Sequence, residues 1–193
     1  NALFDILSGE VNPSGKLPTS FPKNIEDTPA YKSYPGTDLQ MNYDEKLLVG
    51  YRWYEKNSIK PLFCFGHGLS FTKFKYENID VTIEGDMEVS CKFTIQNTGN
   101  MAGLETAQCY VGFSEPLPNE PLKTLQGFVK TNIKLNEVKN LEIRLAPRNF
   151  SHWSVDTKTW QIRGGSYQIF IGSSSENIHL KAIINLEQVL EVL

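Results

Sequence analysis

Hydrophobic and polar residues follow two different rhythms along this chain. From about residue 72 onward the apolar positions recur with period two, the spacing of a half-buried strand. In "KFKYENIDVTIEG" they fall at Phe74, Tyr76, Ile79, Val81 and Ile83, with one irregularity near Glu77. "MEVSCKFTIQNTG" places Val89, Cys91, Phe93 and Ile95 on one face, and "LETAQCYVGF" does the same with Ala107, Cys109, Val111 and Phe113. "VKNLEIRLAP" alternates through Val138, Leu141, Ile143 and Leu145, again with a slip. "SYQIFIGSS" gives Tyr167, Ile169 and Ile171 one face, and "HLKAIINL" closes with Leu180, Ala182 and Ile184. Turn residues punctuate these runs in "NTGN", "PLPNEP" and "RGGS". Six or seven short strands over about 120 residues predict an antiparallel two-sheet sandwich.

Residues 1–71 have another texture, rich in turns. "ALFDILSG" spaces Ala2, Leu3, Ile6 and Leu7 as a helix would, and Gly9 fits the end of that helix. In "NPSGK", Pro13 sets φ and Gly15 permits a positive φ, which predicts a turn. "KLPTSFP" is extended, because a residue before proline avoids the helical region. Lys23 to Asn42 shows no periodicity and predicts a surface loop of about twenty residues, a length that usually serves a function or covers something. "DEKLLVGYRWY" predicts a short helix with Asp44 and Glu45 in its first turn, where negative charge is favoured. "KPLFCFGHGLSFT" is an apolar segment broken by Gly66 and Gly68. A stretch with so few complete elements cannot bury its own core, so it is expected to be mobile or to lean on the sandwich or on a neighbouring chain.

Composition narrows the function classes. The 193 residues are 40% hydrophobic and 21% charged, with a formal net charge of −3, the balance of a folded chain. Lys and Arg are scattered without a basic stripe, which argues against nucleic acid as a partner. No apolar run reaches the eighteen residues that a membrane-spanning helix needs, so no membrane partner is expected. The chain starts at Asn1 without a charged leader and apolar core, hence no signal peptide is recognised in it. Cys64, Cys91 and Cys109 match no metal spacing, and the latter two fall on the apolar faces of their strands as buried thiols. Asn149-Phe150-Ser151 is a glycosylation sequon, a triplet common by chance.

Candidate chemistry is sparse. The carboxylates to weigh are Asp38, Asp44, Glu45, Glu105 and Asp156. Glu45 reads as a helix-end charge or a partner for Arg52, and Glu105 as a residue at the start of a strand pointing to solvent. His67 lies between two glycines in "GHG" with no second ligand at useful spacing and reads as a packed or hydrogen-bonded loop histidine. His152 and His179 carry no signal. Tyr51, Trp53 and Tyr54 suit either a sugar-stacking platform or interface filling, and interface filling is favoured because the segment precedes a domain junction. Trp153 and Trp160 fit the sandwich core or its rim. No nucleophile elbow, phosphate loop or dinucleotide fingerprint is present.

Several stretches, taken in order, resemble glycoside hydrolase family 3, the β-glucosidases and their relatives. "ALFDILSGEVNPSGKLPTSFP" is similar to the signature closing the second domain of that family, through Gly9, Asn12, Pro13, Ser14, Gly15, Lys16, Leu17, Pro18, Phe21 and Pro22. "EKLLVGYRWYEK" and "PLFCFGHGLSFTKFKY" resemble the next two family segments, with Lys46 in place of the usual glycine and Cys64 in place of the usual proline. "IQNTGNMAGLETAQCYVGF", "LKTLQGFVKTNI", "HWSVDTKTW" and "GGSYQIFIGSSSENI" resemble its fibronectin type III-like domain.

The resemblance implies a mainly β fold: a fibronectin III/immunoglobulin-like antiparallel β-sandwich over residues 72–193, preceded by the C-terminal end of an α/β sandwich domain over 1–71. It also implies that the chain is the tail of a larger retaining enzyme that removes non-reducing terminal β-D-glucosyl residues. Retention takes two carboxyl groups about 5 Å apart. In the family the nucleophile is an aspartate of an N-terminal barrel and the acid/base a glutamate upstream of the opening helix, so neither is expected in this chain. No catalytic, cofactor-binding or metal-binding residue is assigned, and the expected partners are the N-terminal catalytic portion and, through it, a β-glucoside. A secreted or periplasmic location accords with the family. The same part of a β-xylosidase and an independent carbohydrate-binding β-sandwich module are the alternatives; a binding module calls for an exposed aromatic row, whereas the polar faces read as Lys92, Thr94, Gln96, Gln108 and Tyr110.

Overall fold

The computed structural model describes residues 1–38 and 40–192. Nine strands follow in order: β1 (Phe74–Ile83), β2 (Val89–Asn97), β3 (Gly103–Phe113), β4 (Thr124–Ile133), β5 (Val138–Leu145), β6 (Ser151–Ser154), β7 (Thr159–Ile162), β8 (Gly165–Gly172) and β9 (Ile178–Leu186). All pairings are antiparallel. One sheet runs β1-β2-β5, the other β4-β3-β8-β9, and β6 with β7 forms a separate hairpin. The fold is the expected antiparallel sandwich.

The core follows from the period-two faces. Val89, Cys91, Phe93 and Ile95 of β2 are all at most 2% exposed, and Ala107, Cys109, Ile169 and Ile171 meet them from the other sheet at 0%. Cys91 and Cys109 are free thiols within this core. The irregularity near Glu77 is a real bulge: the β1–β2 register shifts between Glu77 and Asp80, where Asn78 adopts φ 59. One extra residue returns Ile79 and Val81 to the inner face that Tyr76 already occupies. The slip expected in β5 is absent. Its register on β2 is regular from Val138 to Leu145, and Val138 simply faces outward, 55% exposed.

Two elements lay outside the apolar pattern. β4 carries Gln126, Gly127, Lys130, Thr131 and Asn132, and only Val129 and Ile133 join the core. Gly127 sits where a Cβ would come within 2.7 Å of Ile143 Cγ2, so close sheet-to-sheet approach explains the gap in the pattern. In the β6–β7 hairpin, Trp153 lies opposite Trp160 with ring centroids 5.4 Å apart, and the Arg148 guanidinium covers Trp160 at 3.3 Å. These tryptophans are on the rim, Trp153 being half exposed. The sequon asparagine is engaged: Asn149 Nδ2 donates to the Gln126 carbonyl at 3.3 Å and to Gln126 Oε1 at 3.1 Å.

Residues 1–71 form little regular structure. Helix α1 (Ala2–Leu7) ends as the sequence predicts, with Gly9 at φ 83. In the long loop a short helical turn at Ile25–Asp27 is closed by Asp27 Oδ2, which accepts the Asn24 N–H at 3.1 Å, and further turns follow over residues 28–34. Helix α2 spans Tyr51–Lys56 and starts later than expected, so Asp44 and Glu45 are not in its first turn. The chain turns through positive φ at Lys46 (51) and Gly50 (63), which breaks the helical path before Tyr51. Gly15 is not among the positive-φ glycines, so that turn uses proline alone. Instead of a core of its own, this segment lies along the sandwich.

Core position should separate two valines-and-isoleucines of similar sequence appearance. Ile95→Ala removes a fully buried side chain and is expected to cost about 2–5 kcal/mol; Val138→Ala should stay within about 0.5 kcal/mol. Urea unfolding monitored by tryptophan fluorescence reads both.

Candidate functional site

The contact between residues 1–71 and the sandwich is built on the outer face of β3. There Thr106, Gln108 and Tyr110 are buried, Tyr110 completely. The Tyr51 ring of α2 stacks on Phe65 at 4.9 Å and meets Tyr110 edge-on at 5.9 Å. The Tyr51 hydroxyl accepts the Leu125 N–H at 2.8 Å. Tyr110 donates its hydroxyl proton to Gln108 Oε1, and Gln108 Nε2 donates to the Ser173 carbonyl at 2.8 Å. Burial pushes the Tyr110 hydroxyl far above the ordinary tyrosine range. Beside it, Lys123 pairs with Glu55 of α2, both nearly enclosed, and the Lys123 ammonium lies over the Tyr110 ring at 5.6 Å. Burial raises the Glu55 carboxyl above its usual range, against the pull of Lys123.

A cleft of about 200 Å³ opens at the sandwich edge, between β1, the β8–β9 turn and residues 14–16 and 68–72. Its wall contains a charged side chain that is only 5% exposed, Glu105. Glu105 Oε1 accepts from Lys16 Nζ at 3.2 Å and from the Tyr76 hydroxyl at 2.9 Å. Burial and this carboxylate together push the Tyr76 hydroxyl well above the usual range. The His179 ring lies parallel to Tyr76, centroids 4.2 Å apart and planes 5° apart, with its other side toward solvent. The covered side lowers the His179 pKa by desolvation, with Glu105 raising it and Lys16 lowering it.

Two of the sequence expectations fail here. Glu105 shares the inner face of β3 with Ala107 and Cys109 and is held there by Tyr76 and Lys16, so it does not point to solvent. Gln108 and Tyr110 are not an exposed polar face, because residues 1–71 cover the outer face of β3. The other candidates stay apart. Asp38 and Asp44 line an open hollow of the long loop with Lys32, Tyr34 and Gln40. Glu45 lies on the turn before α2 and makes no ion pair with Arg52, whose guanidinium sits near the Tyr51 ring at 5.7 Å. Asp156 is exposed on the β6–β7 turn. His67 leans on Phe63, centroids 5.2 Å apart, and its carbonyl accepts the Leu17 N–H at 2.8 Å. His152 is exposed. Tyr51 fills the interface as favoured, Tyr54 is buried, and Trp53 Nε1 donates to the Asp27 carbonyl at 3.0 Å. The His179–Tyr76 stack went unread, since nothing in either local pattern links residues so distant in sequence. Among the described residues no group of three or more His, Cys, Asp and Glu side chains could hold a metal, and no helix is long and apolar enough to cross a membrane.

An antiparallel two-sheet sandwich whose β3 is covered by a preceding irregular segment is the class of fold the chain adopts. Two family models match the chain. Residues 1–71 match the glycosyl hydrolase family 3 C-terminal domain and residues 105–175 the fibronectin type III-like domain. Thermostable beta-glucosidase B of Acetivibrio thermocellus is 40% identical over 99% of this chain, which covers 26% of that protein. Beta-glucosidase BoGH3A of Bacteroides ovatus is 39% identical over 92% of this chain, covering 25% of its own length. The crystal structure of a Bifidobacterium adolescentis GH3 beta-glucosidase superposes with a TM-score of 0.93 at 32% identity over all of this chain and 28% of that one. The chain belongs to glycoside hydrolase family 3, and it corresponds to the C-terminal part of such proteins. It spans about a quarter of the length of the relatives it matches.

The lowered His179 pKa makes a signed prediction. A base whose folded pKa is depressed takes up its proton more readily unfolded, so its contribution is complete above about pH 6.5 and is lost as pH falls below that. The groups facing it are Glu105, Lys16 and Tyr76. His179→Phe keeps a ring on Tyr76 without the titration. Between about pH 7 and pH 5 its melting temperature should fall less than that of the unsubstituted protein; scanning calorimetry across the range checks this, and parallel curves would refute it.

Proposed function

We propose that this chain is the structural C-terminal portion of a β-glucosidase that removes non-reducing terminal β-D-glucosyl residues with retention. In this reading residues 1–71 complete an α/β sandwich domain and residues 72–193 form a fibronectin type III-like domain. The chain braces the catalytic portion and contributes neither the nucleophile nor the acid/base. No catalytic, cofactor-binding or metal-binding residue is assigned to it.

The observation that carries this reading is the apolar surface of residues 1–71. Leu3, Phe4 and Leu7 of α1 are each more than 60% exposed, and α1 has no buried residue at all. Ile25 is 68%, Leu47 61% and Leu62 57% exposed, on the same segment whose Tyr51 is buried against the sandwich. A helix with an uncovered apolar stripe calls for a covering partner, because its own six residues gain little stability in isolation. The relatives, four times as long and named as beta-glucosidases, supply polypeptide of the right size and kind for that role. Glucose as the recognised sugar is supported by the D-glucose complex of DesR, a beta-glucosidase from Streptomyces venezuelae that is 35% identical over 96% of this chain.

The purified chain alone should leave a chromogenic β-D-glucoside intact. Adding the separately folded N-terminal portion should restore hydrolysis, and should do so better for the β-glucoside than for the β-xyloside. Hydrolysis by the chain alone refutes the assignment of catalysis to the other portion; preference for the xyloside refutes the substrate.

A further inference from the structure

We propose that the cleft around Lys16 and Glu105 is a binding site for a single neutral pyranose ring, which it grips by two adjacent hydroxyls. The cleft and every residue invoked belong to this chain, so the inference does not rest on the reading of function above.

Size comes first. The cavity of about 200 Å³ holds some six or seven waters at their liquid volume, about the bulk of one sugar ring rather than a chain. It lies at the meeting of two structural units, a common place for ligand pockets.

Unused hydrogen-bonding capacity points the same way. Glu105 is more than nine-tenths buried, and both of its bonds, from Lys16 and Tyr76, end on Oε1. Oε2 accepts no hydrogen bond among the described residues and is not sealed from the cleft, so it is free to accept from a molecule there. The Lys16 ammonium has three protons and donates one of them to a protein group. Nζ lies 3.2 Å from Oε1 of the same carboxylate, so donor and carboxylate stand side by side and suit a vicinal diol: one hydroxyl donates to Oε2 while its neighbour accepts from Nζ. Because the two charges neutralise each other, the cleft favours a neutral polyol over an ion.

The surroundings are fixed before any ligand arrives. Asn177 Nδ2 donates to Ser173 Oγ at 2.8 Å, and that hydroxyl lies 3.3 Å from His179 Nε2. His179 is held in turn by its stack on Tyr76. Ser70 is tied to Asn12 Oδ1 at 3.1 Å. Leu104, 40% exposed, and Leu69, 71% exposed, give the apolar surface against which the C–H face of a sugar can rest. The carboxylate and its tyrosine stand on β3 and β1 rather than on loops, which holds the acceptor in place.

The test uses the 193-residue chain, labelled with nitrogen-15 and titrated with D-glucose, with glycerol as a control for small polyols. Saturable shifts of the Ser70, Leu104 and Asn177 amide signals are expected, with Kd in the range of about 1–50 mM, the weak end of specific binding. Glu105→Gln should abolish them. Asn177 is an exposed turn residue, so Asn177→Ala should leave the melting temperature unchanged and weaken binding about tenfold, which keeps the test decisive if the Glu105 variant unfolds. No saturable shift at these amides, shifts that survive in Asn177→Ala at full affinity, or equal shifts with glycerol would each overturn the site.

Discussion

Gln108 and Tyr110, on the outer face of β3, are covered by Tyr51, Phe65 and Gly66, and the rest of the molecule depends on that cover. The outer face of an antiparallel sandwich ordinarily meets water. Here β3 is buried on both faces, so neither the sandwich nor the preceding segment presents a finished surface without the other. A buried tyrosine contributes about 150–250 Å² of burial, or about 4–6 kcal/mol at 25 cal/mol per Å². Ordering backbone costs about 1–2 kcal/mol per residue. One ring therefore cannot hold a seventy-residue strap; the aromatic stack, the Gln108 bonds and the ion pairs have to act together.

Charge placement gives the junction its register. Lys123–Glu55 and Lys16–Glu105 both join the strap to the sandwich, and in each the carboxylate is nearly enclosed. Such pairs add little net stability over an apolar filling, but removing one partner typically costs about 3–5 kcal/mol, because it strands a charge. They punish misalignment more than they reward contact. The surface pairs around Arg144, with side chains a third or more exposed, have no such leverage.

Much of the sandwich was legible because its core faces obey period two over most of their length. β2 and β8 were readable residue by residue, and so was the bulge in β1, where the phase visibly breaks. β4 was not, because Gly127 stands at an inward position where Ile143 of the other sheet leaves no room for a side chain. The failures at Gln108 and Tyr110 share a cause. A polar residue on an outward position predicts solvent only if nothing covers it, and what covers β3 lies far away in sequence. Glu105 is a different case, in phase with Ala107 and Cys109 and therefore on the inner face. The start of α2 was misplaced by charge at Asp44 and Glu45, when backbone conformation at Lys46 and Gly50 decides it. The His179–Tyr76 stack and the cleft beside it arise only from tertiary contact, so no local pattern could have announced them.

Gly66 shows what this arrangement means for change over generations. Its backbone adopts φ 79, its carbonyl accepts from Gln108 Nε2 at 3.4 Å, and a Cβ there would collide with the Gln108 amide. The glycine of the "FGHG" loop and the glutamine of a distant strand are thus one unit of inheritance. An alanine in the loop meets left-handed strain whatever the strand carries, and it also displaces the Gln108 amide, which loosens the Tyr110 hydroxyl that the amide anchors. A change in the loop is thus felt on the strand.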